Sequence, residues 1–256
     1  MTESLLDAYK RLGSKQFTHS FGLPEFDQLF GNGIECGEVS ELAAEDGCYV
    51  TDFCHQLIAQ FLQDPSKKNS KLLYIDSRNT FKIDRLMELM DGNEEAKDME
   101  NIDRVRVKSI HTIEELYNTL HNLLDLLKHD SVSLLIINSI CGCILSQELL
   151  FMADYSSSIE TILRQLQKLA EQEKLAILTV NGIVKPDHYH DLVPLLGHKW
   201  LKQIPRRVSL HRDNYVSNMV KKNIFYAKKY DFGKLIRPQD FVRYRRTEKG
   251  VEIFKL

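Results

Sequence analysis

The sequence is poor in the residues that would cross-link it, hold a metal ion or anchor it in a membrane. Its 256 residues include an odd number of cysteines without CxxC spacing, which predicts neither a zinc site nor a disulfide framework: Cys36, Cys48, Cys54, Cys141 and Cys143. Asp187, His188 and His190 are close enough in sequence to chelate a metal, but a polar loop tip is the simpler interpretation, and no metal is assigned. No apolar stretch approaches the roughly 20 residues that a membrane helix needs. The charged start, MTESLLDAYKRLG, lacks the apolar run of a secretory signal, so we expect a protein inside the cell without a membrane partner.

The hydrophobic content, 43%, is enough for one substantial core, and the chain length is ordinary for a single α/β domain. Apolar runs predict strands at 38–43, 71–76, 104–107, 132–138 and 175–180, with helices between them at 52–62, 80–90, 112–127 and 157–172. This alternation is typical of a doubly wound, mostly parallel sheet covered on both faces. Beyond residue 205, strands are predicted at 207–211, 222–229, 240–246 and 251–254, which indicates an antiparallel extension at the sheet edge.

The formal net charge of −2 conceals an uneven distribution. Residues 199–256 hold 16 lysines and arginines against 5 aspartates and glutamates, a formal charge of +11, so residues 1–198 carry −13. A basic tail of this kind favours an anionic partner, of which nucleic acid is the commonest. A solvated charged surface is the alternative.

The turn after the first predicted core strand has the position of a phosphate-binding loop but few of its residues. In doubly wound NTPases this turn reads G-x-x-x-x-G-K-[ST], because glycines let backbone N–H groups surround phosphates while Lys and Ser or Thr contact phosphate and magnesium. Here only Gly47 and Thr51 fit. Ala44 and Tyr49 stand at the two glycine positions, and Val50 stands at the lysine position. Two carboxylates within the same turn would repel a triphosphate.

Several segments give this turn a family context. The stretch GLPEFDQLFGNGI at 22–34, followed by GEVSEL at 37–42 and FCHQL at 53–57, resembles the entry to the core of RecA/RadA-type recombinases. The resemblance continues through LLYIDSRNTF at 72–81 and LLGHKW at 195–200. It implies a RecA-like P-loop NTPase core over residues 21–256, preceded by a linker or docking segment at 1–20. The helical DNA-binding domain that many family members carry before the core is not expected.

The same resemblance identifies three further functional positions, and none carries the residue typical of the family. Asn138 stands where an acidic residue organises magnesium, and a neutral amide binds a cation more weakly. Arg78 stands where a glutamate activates the attacking water, and arginine is no base at neutral pH. Gly182 replaces the polar sensor residue. With the lysine also missing, we expect a degenerate ATPase with no catalytic residue and no bound cofactor, although Thr51 and Asn138 could still line a pocket that binds nucleotide without turnover.

Contacts with DNA are predicted in the tail, because the family's two DNA-binding loops are poorly supplied here. The loop at 141–155 contains no Lys or Arg, and the loop at 183–196 contains one lysine. The tail interleaves cations with aromatic residues, which suits phosphates and stacked bases. The candidate DNA-binding residues are Lys185, Lys199, Lys202, Arg206, Arg207, Lys221, Lys222, Lys228, Lys229, Arg243, Arg245 and Arg246. The alternative is that these cations protect edge strands from aggregation, and side-chain alternation leaves at most about half of them on one surface.

These expectations combine into one hypothesis. The resemblance implies a nuclear recombinase paralogue without catalytic activity, which acts in homologous recombination and DNA repair. It would form a heterodimer or larger complex with another recombinase paralogue or the strand-exchange recombinase and help the filament assemble or persist on single-stranded DNA. One alternative is a DNA-dependent ATPase with an unconventional phosphate loop that takes its cation from Lys82 or Lys185. The other is a structural scaffold without DNA contact, which is favoured if the tail cations lie on several faces.

Overall fold

The computed structural model describes residues 18–90, 97–127, 131–144, 155–184, 193–204, 206–230 and 240–255. The strands are β1 (Thr18–His19), β2 (Ile34–Glu35), β3 (Val39–Ala44), β4 (Lys71–Asp76), β5 (Val105–Ser109), β6 (Val132–Asn138), β7 (Ala176–Val184), β8 (Val193–Pro194), β9 (Arg206–Arg212), β10 (Phe225–Lys229), β11 (Phe241–Thr247) and β12 (Gly250–Ile253). The helices are α1 (Pro24–Asp27), α2 (Val50–Gln63), α3 (Ile83–Leu89), α4 (Met99–Ile102), α5 (Ile113–Leu127), α6 (Ile140–Ile144), α7 (Tyr155–Glu173), α8 (Gly197–Gln203) and α9 (Asn214–Val220).

Ten of these strands form one sheet: nine follow the order β12-β11-β10-β9-β3-β7-β6-β4-β5, and β8 pairs with β7 in antiparallel orientation beside this path. Neighbouring strands from β9 to β5 are parallel, as expected where helices connect successive strands. Neighbouring strands from β9 to β12 are antiparallel. The predicted fold class is therefore confirmed: a doubly wound, mostly parallel sheet with an antiparallel C-terminal extension.

Helices bury both faces of this sheet, which explains why the central strands are almost continuously apolar. On one face α2 packs with Phe53 and Leu57 into a cluster that also contains Tyr244 of β11. On the other face α5 and α7 contribute Leu120 and Leu163 to a second cluster. Among the described residues, no helix is both long and apolar enough to span a bilayer.

The segment before β3 is held by one carboxylate and one guanidinium. Asp27 accepts hydrogen bonds from the Ser20 hydroxyl at 2.6 Å and from the Phe21 N–H at 2.8 Å. Arg206 of β9 donates to the carbonyl of Phe30 at 2.7 Å. These contacts explain why the glycine- and phenylalanine-rich stretch at 22–34 folds as a compact turn against the sheet. Residues 1–17 of the predicted linker lie outside the described part of the chain.

One predicted strand was too long. The pattern predicted a strand over 222–229, but the structure places the end of the α9 connection there, and β10 begins only at Phe225. The helix was not predicted, because five of its seven residues, NYVSNMV, are asparagine, serine or valine, which have little helical preference. Local caps stabilise it instead. The Asp213 carboxylate accepts from the Val216 N–H at 3.0 Å, and the Ser217 hydroxyl bonds to both backbone groups of Ile224.

Candidate functional site at the carboxyl ends of the strands

The parallel strands bring four loops to one edge of the sheet. The turn after β3 (45–49), the segment after β4 (77–82), the Asn138–Ser139 junction after β6 and the end of β7 all lie at carboxyl ends, where doubly wound sheets bind their ligands. The positions selected from the sequence as remnants of a nucleotide site therefore belong to one region.

The turn after β3 places a left-handed residue directly before α2. Tyr49 has left-handed dihedral angles, φ 56° and ψ 35°, and Val50 is the first residue of α2. This conformation costs roughly 1–2 kcal/mol for a residue with a Cβ, which glycine avoids. Residues of the tail hold the Tyr49 ring. It packs edge-on against the Phe225 ring, with 5.4 Å between the ring centroids, and its centroid lies 5.3 Å from the guanidinium carbon of Arg246. Packing against the tail offsets the backbone strain.

Arg212 at the end of β9 covers the turn. Its Nη2 and Nε atoms donate to the carbonyl of Asp46 at 2.9 and 3.3 Å. Nη2 would lie only 2.6 Å from a Cβ placed on Gly47, whose φ is +79°, so the guanidinium and the glycine backbone are in close contact. The Tyr244 hydroxyl donates to the carbonyl of Cys48 at 2.9 Å. Tail strands thus hold the turn through its own carbonyl groups.

Asn138 lies where the family's magnesium-binding acid is expected, and its amide contacts the neighbouring hydroxyl groups. Its Nδ2 atom lies 2.7 Å from the Tyr74 hydroxyl, 3.1 Å from Thr51 Oγ1 and 3.3 Å from Thr80 Oγ1. The amide nitrogen donates hydrogen bonds and accepts none, so the hydroxyl oxygens are the acceptors. The side chain of Asn138, which is 2% exposed, therefore joins the oxygens by hydrogen bonds.

The buried carboxylate of Asp76 holds the segment after β4 in its conformation. Asp76 accepts from the N–H groups of Arg78 at 3.1 Å and Phe81 at 2.8 Å. Arg78, at the position where the resemblance implies a general base, is exposed, and its Cγ would lie 3.3 Å from a Cβ on Gly142 in α6. The Arg78 guanidinium forms no ion pair with the described residues. It is a surface cation beside α6.

His55 of α2 connects the turn to the segment after β4. Its Nδ1 lies 2.8 Å from the carbonyl of Thr51, and the Lys82 N–H donates to its Nε2 at 3.1 Å. A carbonyl only accepts and an N–H only donates, so His55 is neutral with its proton on Nδ1. Burial lowers the pKa of His55, which agrees with this neutral form. Lys82 is exposed.

A buried polar network lies next to Gly182, where the resemblance implies a polar sensor residue. The Glu41 carboxylate accepts from Arg207, from the Trp200 indole and from the Asn181 amide, the last at 3.2 Å. The Cys141 thiol donates to Asn181 Oδ1 at 2.7 Å. A side chain at Gly182 would meet Leu195 Cδ1 at 2.5 Å, so a larger residue there requires Leu195 to move.

The residues at this edge do not match the groups that a magnesium nucleotide requires. Position 50 has no ammonium group, Asn138 supplies an amide in place of a carboxylate, and Arg78 supplies a cation in place of a base. Arg212 is a cation at the turn, but its donors bond to the carbonyl of Asp46. Sequence reasoning missed Arg212, because only the pairing of β9 with β3 brings residue 212 beside residue 46.

Six of the twelve candidate DNA-binding cations pair with carboxylates of the same chain. The pairs are Lys199–Glu160, Arg206 with Glu35 and Glu38, Arg207–Glu41, Arg243–Asp213, Arg245–Glu252 and Arg246–Asp52. Arg207 is only 3% exposed and belongs to the core. Lys202, Lys221, Lys222 and Lys229 are exposed, and Lys228 is half-buried. Lys185 and the Asp187, His188 and His190 group lie outside the described residues.

The described residues contain no cluster of histidine, cysteine and carboxylate side chains suited to a metal ion. All five cysteines are free thiols. Burial raises the pKa of the Cys141 thiol to about 12, so this sulfur acts as a hydrogen-bonding group within the network.

Residues 14–192 match the Rad51 family. The chain is 27% identical over 195 residues to the DNA repair protein Rad51 homolog of Drosophila melanogaster, which covers 70% of this chain and 56% of that protein. It is 29% identical over 203 residues to the DNA repair and recombination protein RadA of Metallosphaera sedula, covering 72% and 59%. It is 30% identical over 184 residues to the meiotic recombination protein DLH1 of Candida albicans, covering 66% and 53%. The chain thus spans little more than half the length of these relatives.

Proposed function

The chain belongs to the Rad51 family, and we propose that it acts in homologous recombination and DNA repair as a non-catalytic recombinase paralogue. In this role it joins another recombinase paralogue or the strand-exchange recombinase in the nucleus and promotes the assembly or stability of the filament on single-stranded DNA. The partner supplies any dependence on ATP, and this chain is a pseudo-ATPase that holds no nucleotide.

The observation that carries the proposal is the contact between Asn138 and Thr51. In a working site of this fold, a magnesium ion links the Thr hydroxyl to the nucleotide and the acid holds the ion's water. Here the Asn138 amide reaches the Thr51 hydroxyl at 3.1 Å. The Thr51 hydroxyl is thus engaged by an amide N–H of the same chain, and an N–H group at this position offers a cation no oxygen ligand.

The contacts of Arg212 and Tyr244 support the same role. Both residues come from tail strands and bond to carbonyl groups of the turn, so the turn is fixed in one conformation by the chain itself. Recombinase cores of this type stack with the nucleotide at the junction, as the resemblance implies. A turn that is fixed without nucleotide keeps a surface for stacking that does not depend on ATP.

The test combines the purified chain with a recombinase partner on single-stranded DNA and measures ATP turnover and filament lifetime across a salt series. We expect addition of the chain to increase the lifetime of the filament. We expect all ATP turnover to disappear when the phosphate-loop lysine of the partner is replaced. Thr51→Val keeps the shape of Thr51 without the hydroxyl that Asn138 contacts, and should reduce the increase in lifetime while leaving turnover unchanged. Turnover that persists with every partner site inactivated contradicts the proposal.

A DNA-dependent ATPase with an unconventional loop is the alternative, and one observation favours considering it. Arg212 places a guanidinium directly over the turn, so a cation is present although no lysine is. Hydrolysis by this route requires Arg212 to leave the Asp46 carbonyl and still lacks a base, because Arg78 cannot accept a proton at neutral pH. Turnover that is lost in Arg212→Gln would identify this alternative.

A scaffold that contacts no DNA is the second alternative. It is favoured by the ion pairs, since six of the candidate cations already pair with carboxylates and lie on different elements. Exposed pairs of this kind contribute little stability, so their arginines can exchange partners, whereas the buried Arg207 cannot. The scaffold requires that filament lifetime increase while the chain alone binds no single-stranded DNA at low salt.

A further inference from the structure

The connection between β9 and β10 presents a rigid helix on the surface. Val216 of α9 and Ile224 after it are each 1% exposed and anchor the connection to the sheet. The Asp213 cap and the Ser217 hydroxyl, described above, fix the two ends. Arg243 of β11 donates to Asp213 at 2.8 Å and ties the connection to the next strand. The outward side chains are therefore held on a fixed support.

The outward side of α9 carries two large apolar side chains. Tyr215 is 80% exposed, the highest value for a large apolar side chain among the described residues, and Met219 is 57% exposed. The two residues are four apart in a helix, so they lie one turn apart on the same face. A tyrosine ring exposed to this extent on an anchored helix has its face available for stacking.

Two lysines follow the helix directly in the chain. Lys221 and Lys222 follow α9, are exposed and form no ion pair within the described residues. The acid of the connection, Asp213, is engaged by Arg243 and by the helix cap. These two lysines thus differ from the paired cations of β9 and β11, because binding phosphate with them breaks no existing ion pair.

A single strand of nucleic acid fits these groups better than a protein does. A stable protein interface buries about 1,200–2,000 Å², whereas α9 is seven residues and about 10 Å long and offers two apolar side chains. An exposed aromatic ring beside lysines is the combination that single strands use, since bases stack on the ring and phosphates contact the ammonium groups. A duplex keeps its base faces stacked and offers only the phosphates.

We propose that the α9 surface, defined by Tyr215, Met219, Lys221 and Lys222, binds single-stranded DNA through stacking of a base on Tyr215 and contacts of backbone phosphates with the two lysines. The inference rests on the proposed function, which it deepens by assigning the DNA contact to one helix. Sequence reasoning selected the lysines and missed Tyr215 and Met219, because these two residues lie between the predicted strands at 207–211 and 222–229, where no helix was predicted.

The experiment measures binding of a fluorescent oligothymidylate to the full chain across a salt series. Tyr215→Ala should weaken binding about 10-fold, and Tyr215→Phe, which keeps a ring that stacks, should restore it. Lys221→Ala with Lys222→Ala should lower the slope of log affinity against log salt by about 1.4, since each phosphate contact contributes roughly 0.7 on single strands. The control, Lys68→Ala with Lys168→Ala, removes two exposed lysines elsewhere and should leave the slope unchanged.

The possible failures are distinguishable. If the wild-type chain binds the oligonucleotide but the α9 variants bind equally well, the α9 proposal is overturned while DNA binding by the chain stands. If wild type and variants all fail to bind, both the α9 proposal and the DNA contact in the proposed function are overturned. If Tyr215→Ala keeps oligonucleotide affinity but no longer copurifies with a coexpressed recombinase, the surface is a protein interface and the proposal is wrong.

Discussion

The side-chain amide of Asn138 donates a hydrogen bond to the hydroxyl of Thr51 across 3.1 Å, which joins the end of β6 to the first turn of α2. The same nitrogen lies 2.7 Å from the Tyr74 hydroxyl. The contact is internal to the protein, since Asn138 is 2% exposed. It connects the turn before α2 to the core of the sheet by a side-chain hydrogen bond.

Removing this amide should destabilise the fold. Asn138→Ala leaves the hydroxyl groups of Tyr74 and Thr51 without this partner in a buried place, which costs about 1–3 kcal/mol. Urea unfolding measures the change in the free energy of unfolding. Asn118→Ala, an exposed asparagine of α5, is the control and should change it by less than about 0.5 kcal/mol. Equal changes in the free energy of unfolding of the two variants would show that the Asn138 contacts do not stabilise the fold.

Breaking the buried ion pair should cost more than breaking an exposed one. Arg207→Met leaves the fully buried Glu41 carboxylate without its guanidinium, and such losses cost about 3–5 kcal/mol. Arg245→Met breaks a pair with Glu252 in which both side chains are about 40% exposed, and should cost less than about 1 kcal/mol. The free energies of unfolding of the two variants test this difference. Similar losses in both would mean that Arg207 is not the counter-ion that the geometry indicates.

Stability should fall in mild acid because of a buried histidine. Burial lowers the pKa of His19 from 6.5 to about 3, so the folded chain keeps this imidazole neutral at pH values where the unfolded chain protonates it. Stability is unaffected by this group above about pH 6.5 and is lost as the pH falls from 6.5 toward 3, by at most about 1.4 kcal/mol per pH unit. Burial lowers the pKa of His55 as well, which adds loss of the same sign.

The measurement is urea unfolding at several pH values between 7 and 5 for wild type and His19→Asn. The variant should show a shallower loss of stability than wild type across this range. His111→Asn, which changes an exposed histidine, should follow wild type. Parallel curves for wild type and His19→Asn would contradict the assignment to His19.

Removing the guanidinium over the turn should loosen the turn and little else. Arg212→Ala removes the donors to the Asp46 carbonyl, and because Arg212 is exposed the free energy of unfolding should fall by less than about 1 kcal/mol. Amide hydrogen exchange at residues 46–49 should accelerate, while exchange in β3 should not. Lys202→Ala is the control. It removes an exposed cation of α8 in place of the one that bonds to Asp46, and should leave exchange in the turn unchanged. Unaltered exchange at 46–49 in Arg212→Ala would contradict the role assigned to this residue.

The sequence predicted the architecture well, because burial on both faces leaves a strong pattern. The strands at 71–76 and 132–138 were predicted with the bounds that the structure gives. The parallel order follows from helices that connect the strands. The helix at Asn214–Val220 was not predicted, because contacts of Asp213 and Ser217 stabilise it and the pattern of residue types along the chain does not show them.

The candidate site was only partly accessible to sequence reasoning. The substitutions at Val50, Asn138 and Arg78 could be identified from spacing within a resemblance, since each lies in a local motif. The contacts of the side chains at these positions could not be predicted from the sequence. The approach of Arg212 to Asp46 depends on strand pairing across 166 positions, and the pairing of Arg207 with Glu41 turns an expected surface cation into a core residue.

We propose that this chain supports recombinase filaments without turning over nucleotide. The most direct test is ATP hydrolysis by the purified chain with single-stranded DNA and magnesium, alone and with a recombinase partner whose own phosphate-loop lysine has been replaced. We expect hydrolysis no faster than a buffer blank in both cases. Hydrolysis above the blank that is lost in Thr51→Val or Arg212→Gln would contradict it, because the turn at 44–51 would then be a working active site.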